Sequence, residues 1–154
     1  MEKRLGDTIN LAIKREEEAF AFYTDLYNKI EDKEAKETLK FLAGEEKRHK
    51  EFLVNYLNGQ YSDSGLRMSS VVNYKIAEHL EKPDIKKDMA SKDVYLVAAH
   101  RETNSYNFYM ALAGEHPDGD TRSMLLRMAN EELKHKEKVE YLYSNTAFTQ
   151  LDGG

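Results

Sequence analysis

The 154-residue chain has no cysteine and no tryptophan, and only two prolines. Without cysteine there is no disulfide, no thiolate nucleophile, no zinc finger and no Cys-ligated iron–sulfur centre. The prolines, Pro83 and Pro117, both fall among other breakers, so they leave long helical segments uninterrupted. No run of 18 apolar residues exists, so no membrane span and no membrane partner is expected. Basic residues are not in excess. The 23 Lys and Arg against 28 Asp and Glu leave a formal charge of −5, and no basic patch is interleaved with aromatics, so nucleic acid is not an expected partner. The start, Met1-Glu2-Lys3-Arg4, leads into a polar amphipathic segment and not an apolar signal region. A soluble, cytoplasmic protein is expected.

What is present is helix former. A third of the residues are charged, and four segments carry an unbroken stripe of apolar positions at alternating steps of four and three. Helix A is predicted over about 3–30 and helix B over about 33–57, with Asp32 as its N-cap and Asn58-Gly59 at its end. Helix C is predicted from Ser91 to about 112. A breaker cluster, Gly114 to Asp120, follows it, and helix D then runs over about 121–144. The fold class is all-α: one domain over 1–146, made of hairpin 1 (about 3–58), a crossover (59–90) and hairpin 2 (about 91–144). The polar residues 147–154 are expected to form a flexible tail. Within the crossover, Val71 to Leu80 reads as an extended piece followed by a short helix. Some 30 residues exceed what a tight turn needs. They suffice to run back along the bundle and make helices B and C parallel, giving a four-helix bundle with one long crossover.

The two hairpins repeat. An offset of 86 residues carries Glu16 to Glu102, Tyr23 to Tyr109, Glu46 to Glu132 and His49 to His135, and 14 of 40 positions are identical between 12–51 and 98–137. Each apolar stripe also contains an exception. Helix A has Glu16, helix B has Glu46 and His49, helix C has Glu102, and helix D has Glu132 and His135. Glu-x-x-His puts both side chains on one helix face. Four carboxylates in one core are untenable without compensating cations, and bound metal is the economical explanation.

Register gathers these residues. In each antiparallel hairpin the two glutamates stand equally far from the turn, so four Glu and two His fall in one layer. Six such ligands suit two divalent ions at bridging distance. A carboxylate-rich set favours iron or manganese, with zinc as a frequent substitute. Glu46 and Glu132 are the expected bridges, and Glu16 and Glu102 the expected terminal ligands. Tyr23 and Tyr109, seven residues after a ligand on the same face, are expected to hydrogen-bond the site's carboxylates, to carry oxidising equivalents, or simply to fill the core. Glu17, Glu18, Glu45 and Glu131 fall off the stripes and read as solvated. His79, His100 and His116 match no ligand position and read as surface residues. Access to the layer is expected between helices A and C, where no histidine closes it.

With these motifs in view — Glu16-x-x-Ala19-x-x-Phe22-Tyr23, Glu46-x-x-His49, Glu102-x-x-Ser105-x-x-Phe108-Tyr109 and Glu132-x-x-His135 — the chain resembles the rubrerythrin branch of the ferritin-like superfamily over essentially 5–144. The resemblance implies a ferritin-like bundle with a non-haem di-iron centre of two iron ions. It also implies reduction of hydrogen peroxide or O2 in defence against oxidative stress. Two departures stand out. Rubrerythrins proper carry a Cys-ligated domain that supplies electrons, so the resemblance implies an external donor here, such as a rubredoxin-like protein. They also carry a further glutamate one turn past the helix C ligand, where this chain has Ser105. That departure brings the ligand set closer to bacterioferritins and ferritin-like oxidases. Ferroxidase activity of ferritin type, or a metal-binding structural module without turnover, are the alternative expectations. A homodimer is expected, with hairpin exchange through the crossover as one route to it.

Overall fold

The computed structural model describes residues 3–60 and 70–152, with side chains described from 4 to 146 within those ranges. It is all-helical, with five helices packed as a bundle: α1 (Lys3–Lys29), α2 (Lys33–Leu57), α3 (Ile76–His79), α4 (Ser91–Gly114) and α5 (Asp120–Asp152). No strand occurs among the described residues.

Local chemistry sets the ends. Asp32 caps α2, its carboxylate accepting from the Ala35 amide at 2.8 Å. Gly59 takes a φ of 76° just past the Asn58 cap, a left-handed turn that glycine makes without strain. Gly119, at φ 152°, sits immediately before α5. Helix α5 runs on to Asp152, beyond the end near 144 expected from sequence. No glycine or proline lies between Asp120 and Asp152, so nothing in the backbone stops the helix earlier.

The helix directions follow from cross-links. Between α1 and α4, Arg4 reaches the Glu115 carbonyl at 2.9 Å, Thr8 meets His116 at 3.2 Å, Tyr109 bonds Glu16 and Tyr23 bonds Glu102. As the numbers rise on α1 they fall on α4, so these helices are antiparallel. The pairs Tyr56–Thr121 and His49–Glu132 make α2 and α5 antiparallel in the same way. Each helix is also antiparallel to its hairpin mate, so α2 and α4 are parallel. The segment from 59 to 90 is therefore a genuine crossover. Residues 61–69 of it lie outside the described residues.

The described part of the crossover is an extended piece and one turn of helix, as the sequence predicts, and it is fastened to α5. Lys136 Nζ bonds Asn73 at 2.6 Å, Glu78 at 2.9 Å and both oxygens of Glu140 at 2.9 Å. Glu140 accepts from the Ala77 amide, and Glu137 accepts from the Val72 amide. His100 meets the Leu80 carbonyl at 2.8 Å. At the far end the Glu31 amide donates to the Lys87 carbonyl at 3.0 Å, tying the crossover to the α1–α2 turn.

Apolar packing divides into two cores. One contains Leu26, Ile30, Leu39, Leu42, Val94, Tyr95 and Val97. The other contains Ile9, Leu53, Tyr56, Leu112, Leu125 and Met128. Between them, at mid-height of the bundle, lies a polar layer. No helix of the described residues is long and apolar enough to cross a membrane.

Candidate metal centre

The polar layer contains all six stripe exceptions. Glu16, Glu46, His49, Glu102, Glu132 and His135 are each at most 4 % exposed. They form two overlapping groups. Glu16, Glu46, His49 and Glu132 bring one ligand atom each within 4.8 Å of one another, and Glu46, Glu102, Glu132 and His135 do the same. Glu46 and Glu132 belong to both groups. These two glutamates therefore stand between the groups, with Glu16 and His49 to one side and Glu102 and His135 to the other.

Both imidazoles turn Nδ1 into the layer. His49 Nδ1 lies 2.9 Å from Glu132 and 3.8 Å from Glu16. His135 Nδ1 lies 3.2 Å from Glu46 and 3.7 Å from Glu102. The two rings stack with centroids 5.4 Å apart. Tyr23 donates to Glu102 at 2.7 Å and Tyr109 donates to Glu16 at 2.5 Å. Each tyrosine therefore holds the carboxylate of the opposite hairpin. Both hydroxyls bond the site's carboxylates, and both rings are also buried in the apolar cores. Both phenols are pushed well above their ordinary pKa by burial and by the neighbouring carboxylates, so they remain donors.

The charges in the layer are frustrated. Burial, then the nearby glutamates, push Glu46 and Glu132 well above the usual carboxylate range. Burial acts the same way on Glu16 and Glu102, but the adjacent His49 and His135 respectively override it and hold them below that range. For His135, burial opposes the charged form, yet Glu102 and its neighbours raise its pKa well above the ordinary value.

A metal fits this donor set. Glu16 Oε2, both oxygens of Glu46, His49 Nε2, Glu102 Oε2, Glu132 Oε2 and both nitrogens of His135 are buried without a hydrogen-bond partner. Buried polar atoms are normally satisfied. The unpartnered carboxylate oxygens, together with His135 Nδ1 among the layer's glutamates, are the complement of bound cations.

Two groups depart from the sequence reading. Glu131 is buried, not solvated, and faces Arg48 and Lys134 at 3.7 Å each. Glu45 is only partly exposed. One of its oxygens stands 3.6 Å from His135 Nε2, and Arg48 grips it at 3.0 and 3.3 Å. Its carboxyl is drawn down to about 2, chiefly by His135 and then by Arg48. Both glutamates sit one residue before a ligand, which turns them into the α2–α5 seam. That offset from the stripe was the available signal. Glu17 and Glu18 are exposed as expected. His79 is exposed, whereas His100 and His116 are half-buried in the contacts given above. Between α1 and α4, the expected access side, Arg15 lies over Phe108 and Arg101 over Phe22, with ring distances of 5.0 and 5.1 Å. These stacks cover that face beside the two tyrosines.

Comparison with known proteins agrees with this layout. Residues 1–57, which hold Glu16, Glu46 and His49, match the family model for rubrerythrin. A solved structure of a hypothetical protein from Pyrococcus furiosus is 22 % identical, with a TM-score of 0.59 over 91 % of this chain and 88 % of that one. At that identity the likeness concerns the fold alone. No protein of curated function matches the chain. The chain is rubrerythrin-like over its first hairpin and ferritin-like in its helical fold, and the buried Glu/His layer supports metal binding.

Proposed function

We propose that the layer holds two iron ions and that the protein is an oxidoreductase reducing hydrogen peroxide or O2 with electrons from an external donor. The observation that carries this reading is the pair of four-residue groups sharing Glu46 and Glu132, with unpartnered oxygen and nitrogen atoms throughout. Glu46 and Glu132 would be held in common, Glu16 and His49 would complete one position, and Glu102 and His135 the other. When bound, the iron pair supplies two electrons in all, the number that takes peroxide and two protons to two waters. The chain's own residues keep the surroundings dry, since the two apolar cores enclose the layer above and below. Tyr23 and Tyr109 fix the terminal carboxylates and keep their phenolic protons at neutral pH. Electrons would come from an external donor, such as a rubredoxin-like protein, because these 154 residues contain no cysteine with which to hold a Cys-ligated redox centre.

A second reading, ferroxidase of ferritin type, is favoured by Ser105. It lies buried one turn past Glu102, where rubrerythrins place a fifth carboxylate, and it leaves the two halves with the same ligand types. The two readings separate in one assay. Protein loaded anaerobically with Fe(II) is mixed with peroxide or, separately, with O2, and reductant consumption is followed beside the size of the product. Repeated turnover with a reduced rubredoxin-like donor, at constant mass and about two iron per chain, supports the first reading. A single oxidation followed by growth of an iron-filled assembly supports the second. No oxidation of bound Fe(II) by either oxidant contradicts both and leaves a structural metal module.

A further inference from the structure

The repeat makes the two halves of the layer look equivalent, but the residues behind the two histidines differ. The 86-residue offset pairs Phe41 with Arg127, Glu45 with Glu131 and Arg48 with Lys134. Behind His135 stands Glu45, 3.6 Å from Nε2, and the edge of the ring meets Phe41 with centroids 6.3 Å apart. Arg48 holds Glu45 in place through Nε at 3.0 Å and Nη2 at 3.3 Å. The counterpart carboxylate, Glu131, is drawn instead toward Arg48 and Lys134. His49 Nε2 is buried with no hydrogen-bond partner.

This difference has a chemical consequence. A histidine that ligates through one nitrogen carries a proton on the other. An acceptor facing that proton fixes the tautomer and ring orientation and makes the ligating nitrogen more basic. With Nδ1 turned into the layer on both histidines, Nε2 is the nitrogen that carries the proton. Glu45 faces it on His135, whereas among the described residues the carboxylate contacts of His49 are made through Nδ1. At 3.6 Å the contact is electrostatic, longer than a hydrogen bond.

We propose that Glu45 is a positioning residue for His135 and that it makes the two metal positions unequal. The position completed by Glu102 and His135 fills first and holds its ion more tightly than the one completed by Glu16 and His49. This inference rests on the two-metal reading above and adds to it an order of filling that the repeat conceals.

The test is anaerobic titration of the metal-free full chain with Co(II), read by its visible absorption, with circular dichroism to show that each variant is folded. The wild type is expected to bind two ions in two resolved steps. Glu45→Gln is expected to weaken the first step about tenfold or more and bring the two steps together. Glu131→Gln is expected to leave both steps in place. The location is read in single-position backgrounds. Glu45→Gln should lower affinity in His49→Ala, where the His135 position remains, and have no effect in His135→Ala. An equal loss in both backgrounds would mean a general structural role and overturn the proposal. So would two equal steps in the wild type, or an unchanged isotherm in Glu45→Gln. Failure of the wild type to bind two ions would instead sink the two-metal reading itself.

Discussion

Tyr23 on α1 donates a 2.7 Å hydrogen bond to Glu102 on α4, and both groups are sealed from solvent. The repeat returns the bond, with Tyr109 donating to Glu16 at 2.5 Å. The two hairpins are thus locked together by the residues that also aim the terminal carboxylates. Tyr23→Phe and Tyr109→Phe each remove a buried bond to a charged acceptor, worth about 1.5–3 kcal/mol. Each variant should lower the unfolding free energy in urea by about that amount. Each should also weaken metal binding at its own half of the layer, which calorimetric titration would show. A loss of stability with unchanged metal binding would reduce the tyrosines to core residues.

The metal-free protein should be less stable at high pH. Glu46, Glu132 and His135 have folded pKa values raised above their unfolded ones. Their contribution is fully present below the unfolded values and is lost as pH rises through the folded ones. Glu16 and Glu102 are lowered, so theirs is present above the unfolded value and lost as pH falls. From the ordinary carboxylate range upward, the first three dominate and thermal stability should decline. Bound metal displaces those protons, so the stabilisation by metal should grow over the same range. Melting curves at several pH values, with and without Zn(II), would check both slopes; parallel curves would contradict the assignment.

Crowded carboxylates also imply a trade between stability and binding. Glu132→Gln removes a potential charge from the centre of the layer. It should raise the melting temperature of the metal-free protein by about 2–4 °C, corresponding to about 1 kcal/mol. The further rise on adding metal should shrink. Differential scanning calorimetry of both forms would test this, and a metal-free variant less stable than wild type would argue against strain in the layer.

The sequence made the layer legible and left the fastening of the crossover hidden. The six layer residues interrupt stripes of apolar side chains, and a charged residue on a core stripe is conspicuous. Lys136 and Glu140 do not interrupt that stripe. They lie beside it on α5 and look like an ordinary i,i+4 pair on a solvated face, yet both are fully buried beneath Asn73, Ala77 and Glu78. Only the path of the crossover shows this, and no local pattern encodes it. Glu131 lies one residue off the stripe, a weak local signal, and its burial likewise depends on the neighbouring helix that carries Arg48. The true length of α5 followed from the lack of any breaker before Gly153, a signal weaker than the fading of the apolar stripe near 144.

The buried pair gives its own prediction. Lys136→Met leaves Glu140 in the interior without its cation, and such a break costs about 3–5 kcal/mol. Lys136→Met/Glu140→Gln removes both charges and keeps an acceptor for the Ala77 amide, so it should recover most of the loss. Urea denaturation of the two variants would measure this. Equal destabilisation in both would mean that packing, not charge pairing, holds the crossover.

The most direct measurement of the central claim is iron per chain by elemental analysis, on protein purified anaerobically from iron-supplemented cells, beside a Glu46→Ala/Glu132→Ala variant. Two shared carboxylates and two flanking Glu/His pairs predict about two iron per chain and loss of both in the variant. Wild-type protein that binds no metal, or that binds the same amount as the variant, would contradict the assignment of the layer as a metal centre.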